Sequence, residues 1–153
     1  MFPIIMIVGA TLLQIAGSRI VAMELKEIIV NIRQKYRDAM LLANDGRNMN
    51  AMYLAGYCVE LALKYAIAKN LNWDSYRTEG KYKFLKVHDL ELLVSLTGDE
   101  AGVKKLSSWA IAKEWSEELR YKNPTEATES MTRDMLDASK DLVKRLCRIS
   151  LKK

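Results

Sequence analysis

The sequence predicts an all-α fold, an up-and-down bundle of four to five helices. Three observations predict it. Only two prolines and seven glycines punctuate 153 residues rich in Leu, Ala, Lys, Glu and Met, so few turns interrupt good helix formers. Apolar residues recur at three- and four-residue steps in one segment after another. No segment alternates apolar and polar residues as a half-buried strand would.

The totals bound the rest. A chain of this length builds one real core and hardly two. Half of it is apolar and 28% is charged, the balance of a globular domain rather than a disordered one. The net charge of +5 is compatible with a polyanionic partner without requiring one. Cys58 and Cys147 fall inside apolar helical patterns, with no CxxC pair and no histidine near them. Two buried thiols of a reduced, cytoplasmic protein are expected, not a disulfide or a zinc site. No metal or cofactor is expected. His88 is the sole histidine, which excludes mechanisms needing two within one subunit.

Residues 1–22 differ from the rest: Met1 to Ala16 carries no charge, with Thr11 and Gln14 its only polar side chains. A signal peptide would open with a basic region. A membrane span needs about 20 apolar residues, and Pro3, Gly9, Gln14 and Gly17 interrupt this run. The preferred reading makes Met23 the biological start and residues 1–22 an upstream extension. A weak anchor or signal is the alternative, and a packed N-terminal element the third.

Met23 to Asn44 reads as the first helix, with Leu25, Ile28, Ile29, Ile32, Tyr36, Ala39, Met40 and Ala43 at helical spacing. Asn44-Asp45-Gly46 ends it, because glycine takes the positive φ of a helix stop. So short a link makes the next helix, Asn48 to Asn70, its antiparallel neighbour. That second helix shows a stripe of Leu54, Tyr57, Cys58, Leu61, Tyr65 and Ala68. Glu60 and Lys64 interrupt its most apolar part, four residues apart. They read as a solvated ion pair worth a few tenths of a kcal/mol, or as a polar spot at the edge of a core or dimer surface.

Leu71 to Lys86 has no clean period and interleaves Arg77, Lys81, Lys83 and Lys86 with Trp73, Tyr76, Tyr82 and Phe84. Basic charge with aromatic faces suits single-stranded nucleic acid. The preferred reading is a surface loop pinned to the core by two or three of those aromatics. Val87 to Thr97 is a short helix, with His88 or Asp89 as cap and Gly98 as stop. Another runs from about Gly102 to Glu118, with Val103, Leu106, Trp109, Ala110 and Ala112 inward. Asn123-Pro124-Thr125-Glu126 starts the last helix, Thr125 to Ile149, with Met131, Met135, Ala138, Leu142, Leu146 and Ile149 inward. There is no phosphate loop, nucleophile motif or repeat.

The succession of YLAGYCVELALKYAIAKN, a variable loop, VHDLELLVSL, ELRYKNP and a long helix with ASKDLVKRL resembles the HEPN domain over residues 23–153. The resemblance implies a helical bundle that commonly forms a homodimer. Its RNase members carry an Arg followed four to six residues later by His, with a polar residue of the second helix supporting the Arg. Arg120 matches the Arg position, Glu60 the supporting position and Lys64 the Lys that often follows, while Tyr121 and Pro124 give an RYP-like turn. No histidine follows Arg120 within six residues, so the general base is missing.

What the resemblance then implies is a non-catalytic nucleotide- or RNA-binding and interaction module of a toxin–antitoxin or defence system. Its expected ligand-binding residues are Glu60, Lys64, His88, Arg120 and Tyr121. A separately encoded nucleotidyltransferase is an expected partner, and no membrane is. The alternative is a metal-independent RNase with a degenerate motif, using Arg120 and Tyr121. A third reading is structural, with Arg120 and Glu60 forming a buried salt bridge.

Overall fold

A computed structural model describes residues 22–152, and the reading of the N-terminal extension therefore lies, up to residue 21, outside the described residues. Within them the fold is an all-α helical bundle with one small two-stranded ribbon. Strand β1 (Ala22–Glu24) leads into α1 (Leu25–Asn44), which turns into α2 (Asn48–Asn70). Strand β2 (Ser75–Arg77) and a 3₁₀ turn (Gly80–Leu85) follow, then three short helices, α3 (Leu90–Ser95), α4 (Glu100–Lys104) and α5 (Ser107–Ala112). Two further 3₁₀ turns (Glu117–Tyr121 and Pro124–Glu126) lead into α6 (Glu129–Cys147).

The α1–α2 hairpin forms where local chemistry dictates it. Gly46 sits at φ +74°, and the N–H groups of Gly46 and Arg47 reach back to the Ala43 and Leu42 carbonyls at 3.0 and 2.8 Å. Those bonds satisfy carbonyls that a helix end leaves without partners. Helix α2 then lies between α1 and α6 and packs on both. Cys58 to Lys64 are seven consecutive buried residues, almost two full turns, so α2 is enclosed on every side there. This corrects the single-stripe reading. Small residues make the enclosure feasible: Ala51, Ala55 and Ala62 are fully buried, and a Cβ at Gly56 would overlap the Trp115 indole. Trp115 in turn donates through Nε1 to the Tyr53 carbonyl at 3.0 Å, and Ser139 of α6 donates to the Ala55 carbonyl at 2.7 Å.

Helix α2 is long and apolar enough to cross a membrane by length and composition, but two-thirds of that window (67%) is buried inside the fold. Its apolarity serves the core.

Four further expectations need correction. The helix expected over 102–118 is two short helices, because Leu106 is extended (ψ 138°) between them and caps the second; Ala110 faces out. Asn123 and Pro124 do open a turn, with Asn123 accepting from the Thr125 N–H at 3.1 Å, but that turn is 3₁₀ and stops at Glu126. Thr128 is the cap of α6, accepting from the Met131 N–H at 3.2 Å, and Met131 is exposed. Finally, Met23 belongs to a strand. Ala22, Met23 and Glu24 pair antiparallel with Arg77, Tyr76 and Ser75, within the stretch expected to be irregular.

Candidate functional site

The enclosure of α2 changes what Glu60 and Lys64 are. Glu60 has no exposed surface, and its carboxylate accepts from Lys64 Nζ at 2.6 Å through Oε1. The pair is buried, so the reading of a solvated surface pair is set aside. Its second oxygen, Oε2, is 2.9 Å from His88 Nδ1, from the segment that precedes α3. A carboxylate only accepts, so Nδ1 is the protonated ring nitrogen and Nε2 is left for a ligand or solvent. The His88 side chain is 44% exposed, which places this nitrogen-bearing ring at the boundary between core and water. Asp89, not His88, caps α3, accepting from the Leu92 N–H at 3.1 Å.

Glu60, Lys64 and His88 are thus brought together, and Lys64 and His88 border a cleft of about 460 Å³. Lys64, Lys86, His88, Tyr76 and Thr78 line it, with Met23 and Glu27 from the start of the described chain. Glu27 is tied down, since its Oε2 accepts from the Glu24 N–H at 3.2 Å. Lys86 is exposed. Tyr76 is fixed from below: its hydroxyl donates to the Leu85 carbonyl at 2.8 Å, and Lys64 Nζ lies 5.6 Å from its ring centre. Burial pushes the Tyr76 phenol well above its ordinary range, with Glu60 adding to the effect.

Arg120 and Tyr121 are placed elsewhere. Both are exposed, and the Arg120 guanidinium stacks over the Tyr121 ring at 4.9 Å. Arg120 is not held by Glu60, whose two oxygens are taken by Lys64 and His88, so the expected Glu60–Arg120 salt bridge is not formed. Tyr57 lies between the two groups. Its ring is 6.3 Å from the His88 ring and stacks edge-on with Tyr53 and Trp115, each at 5.9 Å. Burial raises the Tyr57 phenol, Glu60 and Tyr53 push it further, and Arg120 pulls it back. The arrangement is a buried carboxylate holding a lysine ammonium and a histidine ring at a cleft, with the Arg120–Tyr121 stack on the far side of Tyr57.

The loop reading resolves into parts. Tyr76 is buried, Trp73 and Tyr82 pack edge to face at 4.7 Å with Arg77 over Trp73 at 5.3 Å, and Phe84 stays exposed. Sequence reasoning singled out this loop but not Lys86 or Tyr76 as neighbours of His88; their basic and aromatic character was the available signal. Among the described residues no group of three or more His, Cys, Asp or Glu is placed to hold a metal ion. No family model, curated protein or solved structure matches the chain.

Proposed function

We propose that the protein binds the phosphate of a nucleotide or RNA in the cleft bordered by Lys64, Lys86 and His88. One observation carries this: the fully buried Glu60 accepts from both Lys64 and His88, fixing two cation-capable groups at a cleft edge. Lys64 keeps two further N–H donors, and Lys86 adds a second ammonium. Such preset donors suit an anion with several acceptor oxygens better than a neutral ligand. Tyr57, Tyr53 and the Arg120–Tyr121 stack offer flat faces beside it for a base. The HEPN resemblance of residues 23–153 supports the same reading and extends it to a homodimer serving a toxin–antitoxin or defence system with a separate nucleotidyltransferase.

A second reading rests on the His88 ring. With Nδ1 tied to Glu60, Nε2 can accept a proton, which would supply the base that the Arg120 segment lacks for metal-independent RNA cleavage.

Titration of the full chain with ADP and with a labelled single-stranded RNA, in chelator, tests both. Lys86→Glu changes an exposed side chain and is expected to weaken binding by about tenfold or more while the melting temperature stays nearly constant, whereas His88→Gln also takes a partner from the buried Glu60 and is expected to weaken binding with a lower melting temperature. No binding by the parent chain, or equal binding by both variants, refutes the phosphate cleft. RNA cleavage that disappears in His88→Gln and Arg120→Ala would replace the binding reading by the RNase one.

A further inference from the structure

On the far side of α1 from the α2 interface, Val30, Arg33, Arg37 and Leu41 follow steps of three, four and four and so form one line along the helix. All four are exposed, Val30 and Leu41 by 65% and 67%. The line does not end on a flat surface. The C-terminal segment folds back against the second half of α1, with Leu151 buried, and the two walls enclose a groove of about 780 Å³. Met40 and Leu151 give it an apolar floor, and Leu41, Arg33, Arg37 and Lys152 edge it. Among the described residues no carboxylate lines it, and none of these three cations forms an ion pair with a described residue.

We propose that this groove docks an acidic amphipathic helix of a partner protein, its apolar side chains on Met40, Leu41 and Leu151 and its carboxylates on Arg33, Arg37 and Lys152. Length fits. The groove's edge on α1, Arg33 to Asn44, spans about 16 Å, three helical turns, which an anchor pattern of i, i+4, i+7 and i+11 on a second helix would cover. Charge selects among occupants. A second copy pairing through the same face would set Arg33 and Arg37 against their own counterparts. Residues 1–21 contain no Asp or Glu, so the N-terminal extension cannot neutralise the rim. A flat membrane surface would meet Val30 and Leu41 but not Leu151, which is buried between the two walls. The one aromatic on the lining, Tyr36, is buried and offers no face for base stacking.

The test is selection of a displayed library of helical peptides, roughly 16 residues long so that about twelve span the groove with a flank at each end, on the full chain. Binders are expected to share i, i+4 apolar anchors flanked by Asp or Glu. They should lose at least about tenfold in affinity on the Arg33→Glu/Arg37→Glu variant and on Leu41→Ser. Circular dichroism confirms that these surface changes leave the helices intact. Binders without acidic residues, binders indifferent to both variants, or no binders at all would overturn the proposal. So would equal, charge-dependent adsorption to phosphatidylserine–phosphatidylcholine vesicles, which would make the face a membrane surface.

Discussion

Glu60 is the one fully buried carboxylate among the described residues. An ionised carboxylate without water is costly, and here it is compensated by Lys64 Nζ at 2.6 Å and His88 Nδ1 at 2.9 Å. Compensation is reciprocal: the Lys64 side chain is only 11% exposed, so it too depends on the contact. Glu60→Leu therefore leaves a nearly buried ammonium unpaired and is expected to cost about 3–5 kcal/mol of unfolding free energy. Adding Lys64→Met removes the orphan charge, and much of that loss should return. Urea denaturation of the two single variants and the double variant measures the coupling. Strictly additive losses would mean that the two groups do not depend on one another. The identity of these residues was legible from their spacing, four apart on a helix. Their burial was not, because an i,i+4 pair looks the same in sequence whether water or another helix covers it.

At the scale of elements, the decisive contacts are those that let α2 be covered from more than one direction. Gly56 leaves room for the Trp115 ring, and that ring's N–H caps the Tyr53 carbonyl within the same helix. Gly56→Ala gains helix propensity of up to about 1 kcal/mol, yet its methyl group forces Trp115 outward. Overpacking of this kind costs about 1–3 kcal/mol, so the net change should be destabilising. A lower thermal midpoint with altered indole fluorescence is the expected result; a higher midpoint would show that the segment around Trp115 gives way without cost. Elements defined by local chemistry could be read in advance, as at Asn44-Asp45-Gly46 and at Asp89. Others could not. A single extended residue at Leu106 breaks a helix while preserving the three- and four-residue spacing of Val103, Leu106 and Trp109, so periodicity runs straight across the break. Asn123-Pro124 and Thr128 are both good caps, and only the packing of α6 decides which one starts the long helix. Strands of three residues are too short to show alternation at all.

Taken as a whole molecule, the core shelters several weak acids in their neutral forms, and this gives the fold a limit on the alkaline side. Burial pushes the Cys58 and Cys147 thiols up from 9.0 to about 12, and the Tyr36 phenol from 10.0 to about 12. Each of these groups ionises more readily in the unfolded chain than in the folded one. The native state therefore holds more protons above the unfolded values, and stability falls as pH rises there. The contribution is complete below about pH 9 and is lost progressively as pH climbs through the folded values near 12. Each group steepens the loss by up to about 1.4 kcal/mol per pH unit while only the unfolded form is ionised. Urea midpoints should thus be nearly level from neutral pH to about 9 and then drop. Replacing both thiols (Cys58→Ala with Cys147→Ala) lowers the starting stability but should flatten the descent between about pH 9 and 11, since two of the titrating groups are gone. A thiol reagent gives an independent readout, reacting far more slowly with the native chain than with the urea-unfolded one. Equal slopes with and without the cysteines, or rapid labelling of the native protein, would show that the α2 and α6 thiols are not shielded as their burial implies.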